Sequence, residues 1–107
     1  MKLLTEQIKK ILPALYSTED IPCEDKKFIC RFFSPMGPEE WKITEGSQEG
    51  DDWILFGLAD LGFGFPEWGY ISLNELEALD VGFGLGIERD SLFNAADIHF
   101  GASELEA

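Results

Sequence analysis

Three observations predict an α+β fold: an antiparallel sheet of four to five strands with two helices packed on one face. Short aromatic and β-branched segments follow one another, punctuated by glycine and proline. Trp41-Lys42-Ile43-Thr44-Glu45 alternates apolar with polar, as a strand buried on one face does. Leu73, Leu76 and Leu79 repeat at helical spacing behind Ser72, which with Glu75 makes a capping-box pattern. The 107 residues are expected to form a single compact domain, residues 1–107, with a loose acidic tail from about residue 95.

Each element has a local reason. Thr5 suits a helix N-cap, and Leu4, Ile8, Ile11, Leu12 and Leu15 fall near one face; Pro13 should end this helix around Ala14. The acidic stretch from Tyr16 to Asp25 reads as a loop. Lys27 to Phe33 reads as a strand stopped by Ser34-Pro35-Met36-Gly37-Pro38, and it pairs with the alternating strand from Trp41 as a hairpin. Gly46 to Asp51 is predicted as the turn feeding a central strand, Trp53 to Leu58. A glycine-rich loop, Gly62-Phe63-Gly64-Phe65-Pro66, separates it from a fourth strand around Gly69-Tyr70-Ile71, which passes into the helix capped by Ser72. A short strand is expected at Ile87-Glu88-Arg89-Asp90. The window from Asp52 to Leu76 holds six aromatic rings, so the main core is expected to condense there.

Charge is the one extreme of the composition. The net charge is −13, and it is unevenly spread: residues 1–42 hold seven acids and seven bases, whereas residues 43–107 hold fourteen acids against Arg89 alone. Direct nucleic-acid binding is excluded on that ground, because phosphate contacts need Lys and Arg; a basic protein surface is the natural complement. No apolar run is long enough for a membrane span and the N-terminus turns polar early, so the expected compartment is the cytoplasm. Cys23 and Cys30 match no disulfide framework and no zinc spacing, and are read as reduced thiols, Cys30 as a small core residue.

No catalytic, cofactor or metal site emerges from the residues. Gly82-x-Gly84-x-Gly86 lacks the third glycine of the dinucleotide spacing and has no lysine beside it. His99, the single histidine, has no matched nucleophile; Asp51-Asp52 and Glu88 with Asp90 lack calcium-loop spacing and read as solvated caps. Arg89 is expected to pair with a neighbouring carboxylate and hold the acidic half together. The two phenylalanines at 63 and 65 read as a packed turn or as the tip of a protein contact.

Several runs resemble a known family, the small bacterial proteins grouped as domain of unknown function 2958. They are Leu3-Leu4-Thr5, Leu12-Pro13-Ala14-Leu15-Tyr16 with Thr18-Glu19, Phe32-Phe33-Ser34-Pro35, Trp41, Thr44-Glu45-Gly46 and Phe56-Gly57-Leu58. The most specific are Gly69-Tyr70-Ile71-Ser72-Leu73-x-Glu75-Leu76 and Ile87-Glu88-Arg89-Asp90. The resemblance implies a passenger of plasmids, integrated elements or phages, and it carries no catalytic residues to transfer. The loops from Met36 to Glu40 and from Gly62 to Glu67 depart from the family pattern.

Together these readings predict a small acidic binding protein rather than an enzyme. It would inhibit a host-defence or DNA-processing protein by occupying its basic nucleic-acid-binding surface, as a mimic of DNA. The residues expected to contact that partner are Glu45, Glu49, Asp51, Asp52, Phe63, Phe65 and Glu67, with no cofactor and a monomeric or weakly dimeric state. The alternatives are a small enzyme of unknown activity and a structural or accessory component of the element's transfer or particle machinery; a solubility role is the plainest account of the acids.

Overall fold

The computed structural model describes residues 2–93; His99 and the expected acidic tail lie outside the described residues. The first element is helix α1, Glu6–Ile11. The Thr5 hydroxyl oxygen caps it by accepting from the Ile8 amide at 3.1 Å. It ends short of Ala14: Leu12 is already extended, at ψ 122°, because the ring of Pro13 closes the α region to the residue before it. None of the helix's own residues is buried. The flanking Leu3, Leu4 and Leu12 enter the core instead, with Ile8 packed against them.

The predicted loop to Asp25 contains one 3-10 turn, Cys23–Asp25. Five strands follow: β1, Cys30–Phe33; β2, Glu40–Glu49; β3, Asp52–Asp60; β4, Glu67–Ser72; and β5, Glu88–Arg89. Their order in the sheet is β4-β3-β2-β1-β5, with every pairing antiparallel. The first four strands make a meander. After β4 the chain forms helix α2, Leu73–Glu77, then crosses to the far edge, where Glu88 and Arg89 pair with Phe33 and Phe32. Arg31 fixes that edge, its guanidinium reaching Glu40 on β2 at 3.0 Å and Asp90 beyond β5 at 3.1 Å. Arg89 donates to the carbonyl oxygens of Lys2, at 2.8 Å, and Leu3, at 3.2 Å, so it ties the N-terminal segment to β5.

The turn predicted at Gly46 to Asp51 is mostly strand. Gly46 and Ser47 pair with Leu55 and Ile54, and the chain reverses only at Gly50 and Asp51, where Gly50 takes φ +63°. Gly46 is present for space rather than for bending: a Cβ there would lie 2.6 Å from Leu12 Cδ2 and 2.7 Å from Leu55 Cδ2. A β-bulge between Ile43 and Glu45 breaks the predicted alternation. Strict alternation would put Glu45 on the side of Trp41 and Ile43. The extra residue at Thr44 turns Glu45 to the side of Phe56 and gives its place in the core to Gly46.

The completely buried large side chains are Leu3, Phe28, Phe32, Ile43 and Leu55, drawn from the whole chain. None of the six rings between Asp52 and Leu76 is fully buried, and Phe63, Phe65 and Tyr70 are exposed, which corrects the expected centre of condensation. Gly62 and Gly64 hold positive φ at the hairpin tip. Trp68 instead joins a smaller cluster, with ring centroids 5.9 Å from Phe28 and 5.6 Å from Phe56.

Helix α2 stops at Glu77, so the predicted leucine stripe is cut short. Leu73 and Leu76 are buried, whereas Leu79, past the end, is 46% exposed. Leu76→Ala is therefore expected to cost about 2 to 5 kcal/mol in denaturant unfolding, and Leu79→Ala less than about 1 kcal/mol. A large loss at Leu79 would contradict this boundary.

Candidate functional site

Three loops meet at one end of the sheet. The turn after β1 is closed by hydrogen bonds from the Ser34 amide to the Glu39 carbonyl, at 2.9 Å, and from the Met36 amide to Ser34 Oγ, at 3.2 Å. The β3–β4 loop packs on it through Gly62, whose absent Cβ would lie 2.7 Å from Pro38 Cγ. At φ +89°, this glycine is needed both for its conformation and for the close approach. The segment after α2 completes the site: Asp80 Oδ1 accepts from the Gly82 amide at 2.8 Å, and Val81 and Leu85 close a tight hairpin.

Between these loops runs a groove of about 430 Å³, floored and walled by Met36, Trp41, Leu61, Phe63, Leu79 and Ile87 among others. Met36, Leu61 and Leu79 are each about half exposed and Phe63 is 76% exposed, an unusual gathering of apolar surface for a small acidic protein. Phe83, at the tip of the last hairpin, is 92% exposed and in the left-handed region at φ +57°. A bulky side chain seldom adopts that conformation. Glu39 lines the groove, and the segments that form it, residues 34–41, 59–67 and 78–88, also contain Asp60, Glu67, Asp80 and Glu88, with Glu40 paired to Arg31, and no Lys or Arg.

The residues singled out in the sequence are distributed over the molecule. Phe63, Phe65 and Glu67 are exposed at the groove end. Glu49 and Asp51 are exposed at the β2–β3 turn, at the opposite end of β3. The eight residue steps from Asp52 to Asp60 separate the two ends by roughly 26 Å. Asp52 is engaged in structure: Oδ1 accepts from the amides of Asn74, at 2.9 Å, and Trp53, at 2.7 Å, and Oδ2 accepts from Ser72 Oγ at 2.5 Å. These bonds, led by that from Ser72, hold its carboxyl below the usual range and cap α2 together with Ser72 Oγ, which accepts from the Glu75 amide at 3.2 Å.

Glu45 is buried, which corrects its reading as a surface contact. It forms an ion pair with Lys26 at 3.5 Å, and Lys26 is buried too. Thr18 lies between them, giving its hydroxyl proton to Glu45 and accepting from Lys26 Nζ at 2.7 Å. Of the groove residues, Met36 lay in a loop whose departure from the family pattern was an available signal, Leu79 was read as part of the helical leucine stripe, and Leu61 was left unmarked.

Cys30 is buried, and burial pushes its thiol up to about 12, while Cys23 is partly exposed. The raised value keeps Cys30 protonated and unreactive at pH 8, so iodoacetamide should add one group to the native chain, at Cys23, and two only after unfolding. Two rapid additions to the native protein would contradict it. Among the described residues, no group of three or more His, Cys, Asp or Glu side chains is placed to hold a metal ion, and no helix is long and apolar enough to cross a membrane.

Fold and groove define a class: a small protein with a five-stranded antiparallel sheet, two short helices and an apolar groove at one sheet end. Over residues 3–103 the chain matches the family described as Protein of unknown function (DUF2958), and it belongs to that family. No match was found among curated proteins or solved structures.

Proposed function

We propose that the protein is a binding module rather than an enzyme, and that it grips a basic partner protein through the groove. The observation that carries this reading is the combination of half-exposed Met36, Leu61 and Leu79 and protruding Phe63 with Glu39 in the lining, on segments that also carry Asp60, Glu67, Asp80 and Glu88 and no Lys or Arg. Apolar side chains supply the desolvated anchor, and the carboxylates steer the encounter and select a basic surface. We further infer that both helices cover the sheet face carrying Phe32, Ile43 and Leu55, which leaves the loops at the sheet end free for the partner. A basic nucleic-acid-binding protein fits this chemistry, and occupation of its groove would exclude the nucleic acid, the action expected of a protein carried by a mobile element.

Affinity capture with the wild-type chain and with a Phe63→Ser/Phe65→Ser variant, run in parallel, tests the reading. The expected partner is basic, is lost from the variant, binds more slowly as salt rises and releases bound nucleic acid. A partner retained equally by the variant would refute the groove, and one that keeps its nucleic acid while bound would refute mimicry.

A further inference from the structure

A second recess lies on the sheet face that carries Phe56, away from the groove. Its volume is about 470 Å³, within the ~300–1,000 Å³ range of small-ligand sites. Tyr16, Phe56 and Tyr70 form its walls. The Tyr70 centroid lies 6.0 Å from that of Tyr16, at an interplanar angle of 53°, and 5.0 Å from that of Phe56, at 52°. Tyr16 and Tyr70 are each more than half exposed, so ring surface is available to a ligand. At the floor, Glu45 is compensated by Lys26, while the exposed Glu19 lines the recess and leaves it net negative.

We propose that Tyr16, Phe56 and Tyr70, with Glu19, form a receptor for an organic cation, the ammonium or guanidinium head of a small amine or of a partner's side chain. Tilted rings present their negative faces to a cation, and a carboxylate adds attraction that a neutral group of the same shape does not receive. The backbone at Tyr16 supports the assignment. It sits at φ +69°, a conformation unusual for a bulky residue, which functional sites tend to retain. The Tyr16 amide donates to Glu45 Oε1 at 2.9 Å and the Leu15 amide to Ser47 Oγ at 2.9 Å, which holds the ring in place beside Tyr70. The Tyr70 phenol is pushed up, first by partial desolvation and then by Tyr16, Glu19 and Glu45, so the two carboxylates act on the ring that the cation would meet. The proposal deepens the reading of a basic partner by naming the head it would insert, but it is tested with free cations and so stands or falls apart from the groove.

The full chain, labelled with nitrogen-15, would be titrated at constant ionic strength with tetramethylammonium chloride and with neopentyl alcohol, a neutral group of the same shape. Saturable amide shifts at Tyr16, Phe56 and Tyr70 are expected with the cation alone. Tyr70→Ala should weaken binding about tenfold and Glu19→Gln about threefold; both side chains are exposed, so the fold should persist. Phe63→Ser/Phe65→Ser should leave cation binding unchanged. An equal response to the alcohol, or an affinity unaltered by Tyr70→Ala, would overturn the proposal. A neutral peptide with one trimethylated lysine identifies the source: tighter binding than tetramethylammonium assigns the head to a protein, and weaker binding assigns it to a free amine, with the site upheld in either case.

Discussion

Glu45→Lys is expected to lower the unfolding free energy by about 3 to 5 kcal/mol, because it leaves the buried Lys26 ammonium without its counter-charge and adds a second cation beside it. A loss of that size is a large share of a small domain's stability, about 5 to 15 kcal/mol. The effect belongs to removing one partner, not to the pair's net worth. Lys26→Met/Glu45→Leu, which removes both charges but also the acceptor of the Tyr16 amide and the Thr18 hydroxyl, should therefore recover part of the loss. Glu49→Lys, on an exposed strand end, should stay within about 0.5 kcal/mol. Urea midpoints of the four chains decide the matter; equal midpoints for Glu45→Lys and Glu49→Lys would show that the ion pair is not buried in solution. One practical consequence is that loss of partner binding by Glu45→Lys would report unfolding and not a contact.

The second large effect is expected at Gly57. It pairs with Ile43 on one side and with Gly69 on the other, two glycines facing each other across β3 and β4. A Cβ on Gly57 would lie 2.1 Å from the Lys42 carbonyl oxygen and 3.0 Å from Ile43 Cα, both backbone atoms of a paired strand. They can retreat only if β2 and β3 separate. Gly57→Ala should cost more than about 3 kcal/mol, at or beyond the upper range of overpacking. Gly69→Ala meets nothing within 4 Å. It should be neutral or gain about 0.4 to 1 kcal/mol by restricting the unfolded chain. Thermal unfolding of the two variants separates them, and similar midpoints would refute the strand spacing described for β2 and β3.

Much of the fold was legible because it rests on short-range rules. Thr5 and Ser72 satisfy free amides within their own helices, and Pro13 acts on its immediate neighbour. Element ends were less legible. Leu79 carried on a helical pattern that the chain abandons after Glu77, and Gly46 read as a turn residue because sequence does not distinguish a glycine that bends from one that makes room for Leu12.

The candidate site was legible in part. Phe63 and Phe65 were marked by the glycines around them, and both are exposed at the hairpin tip. Met36, Leu61 and Leu79 come from three separate segments, and no local pattern joins residues that meet only when β1, β3 and the segment after α2 are packed. Carboxylates were harder still, since an acid's role depends on what lies across from it. Asp52 caps a helix that begins 21 positions later, and Glu45 meets a lysine 19 positions earlier.

By itself the sequence determined the antiparallel α+β class, the two capped helices and the concentration of net charge in residues 43–107, because each follows from composition or from neighbours a few positions apart. The tertiary structure alone decided which acids are free, which rings are exposed and where apolar surface gathers. One bulge at Thr44 shows why: inserting a single residue exchanges the two faces of a strand, sends Glu45 to Lys26 and brings Gly46 under Leu12. Whether a bulge forms is settled by partners far away in the chain.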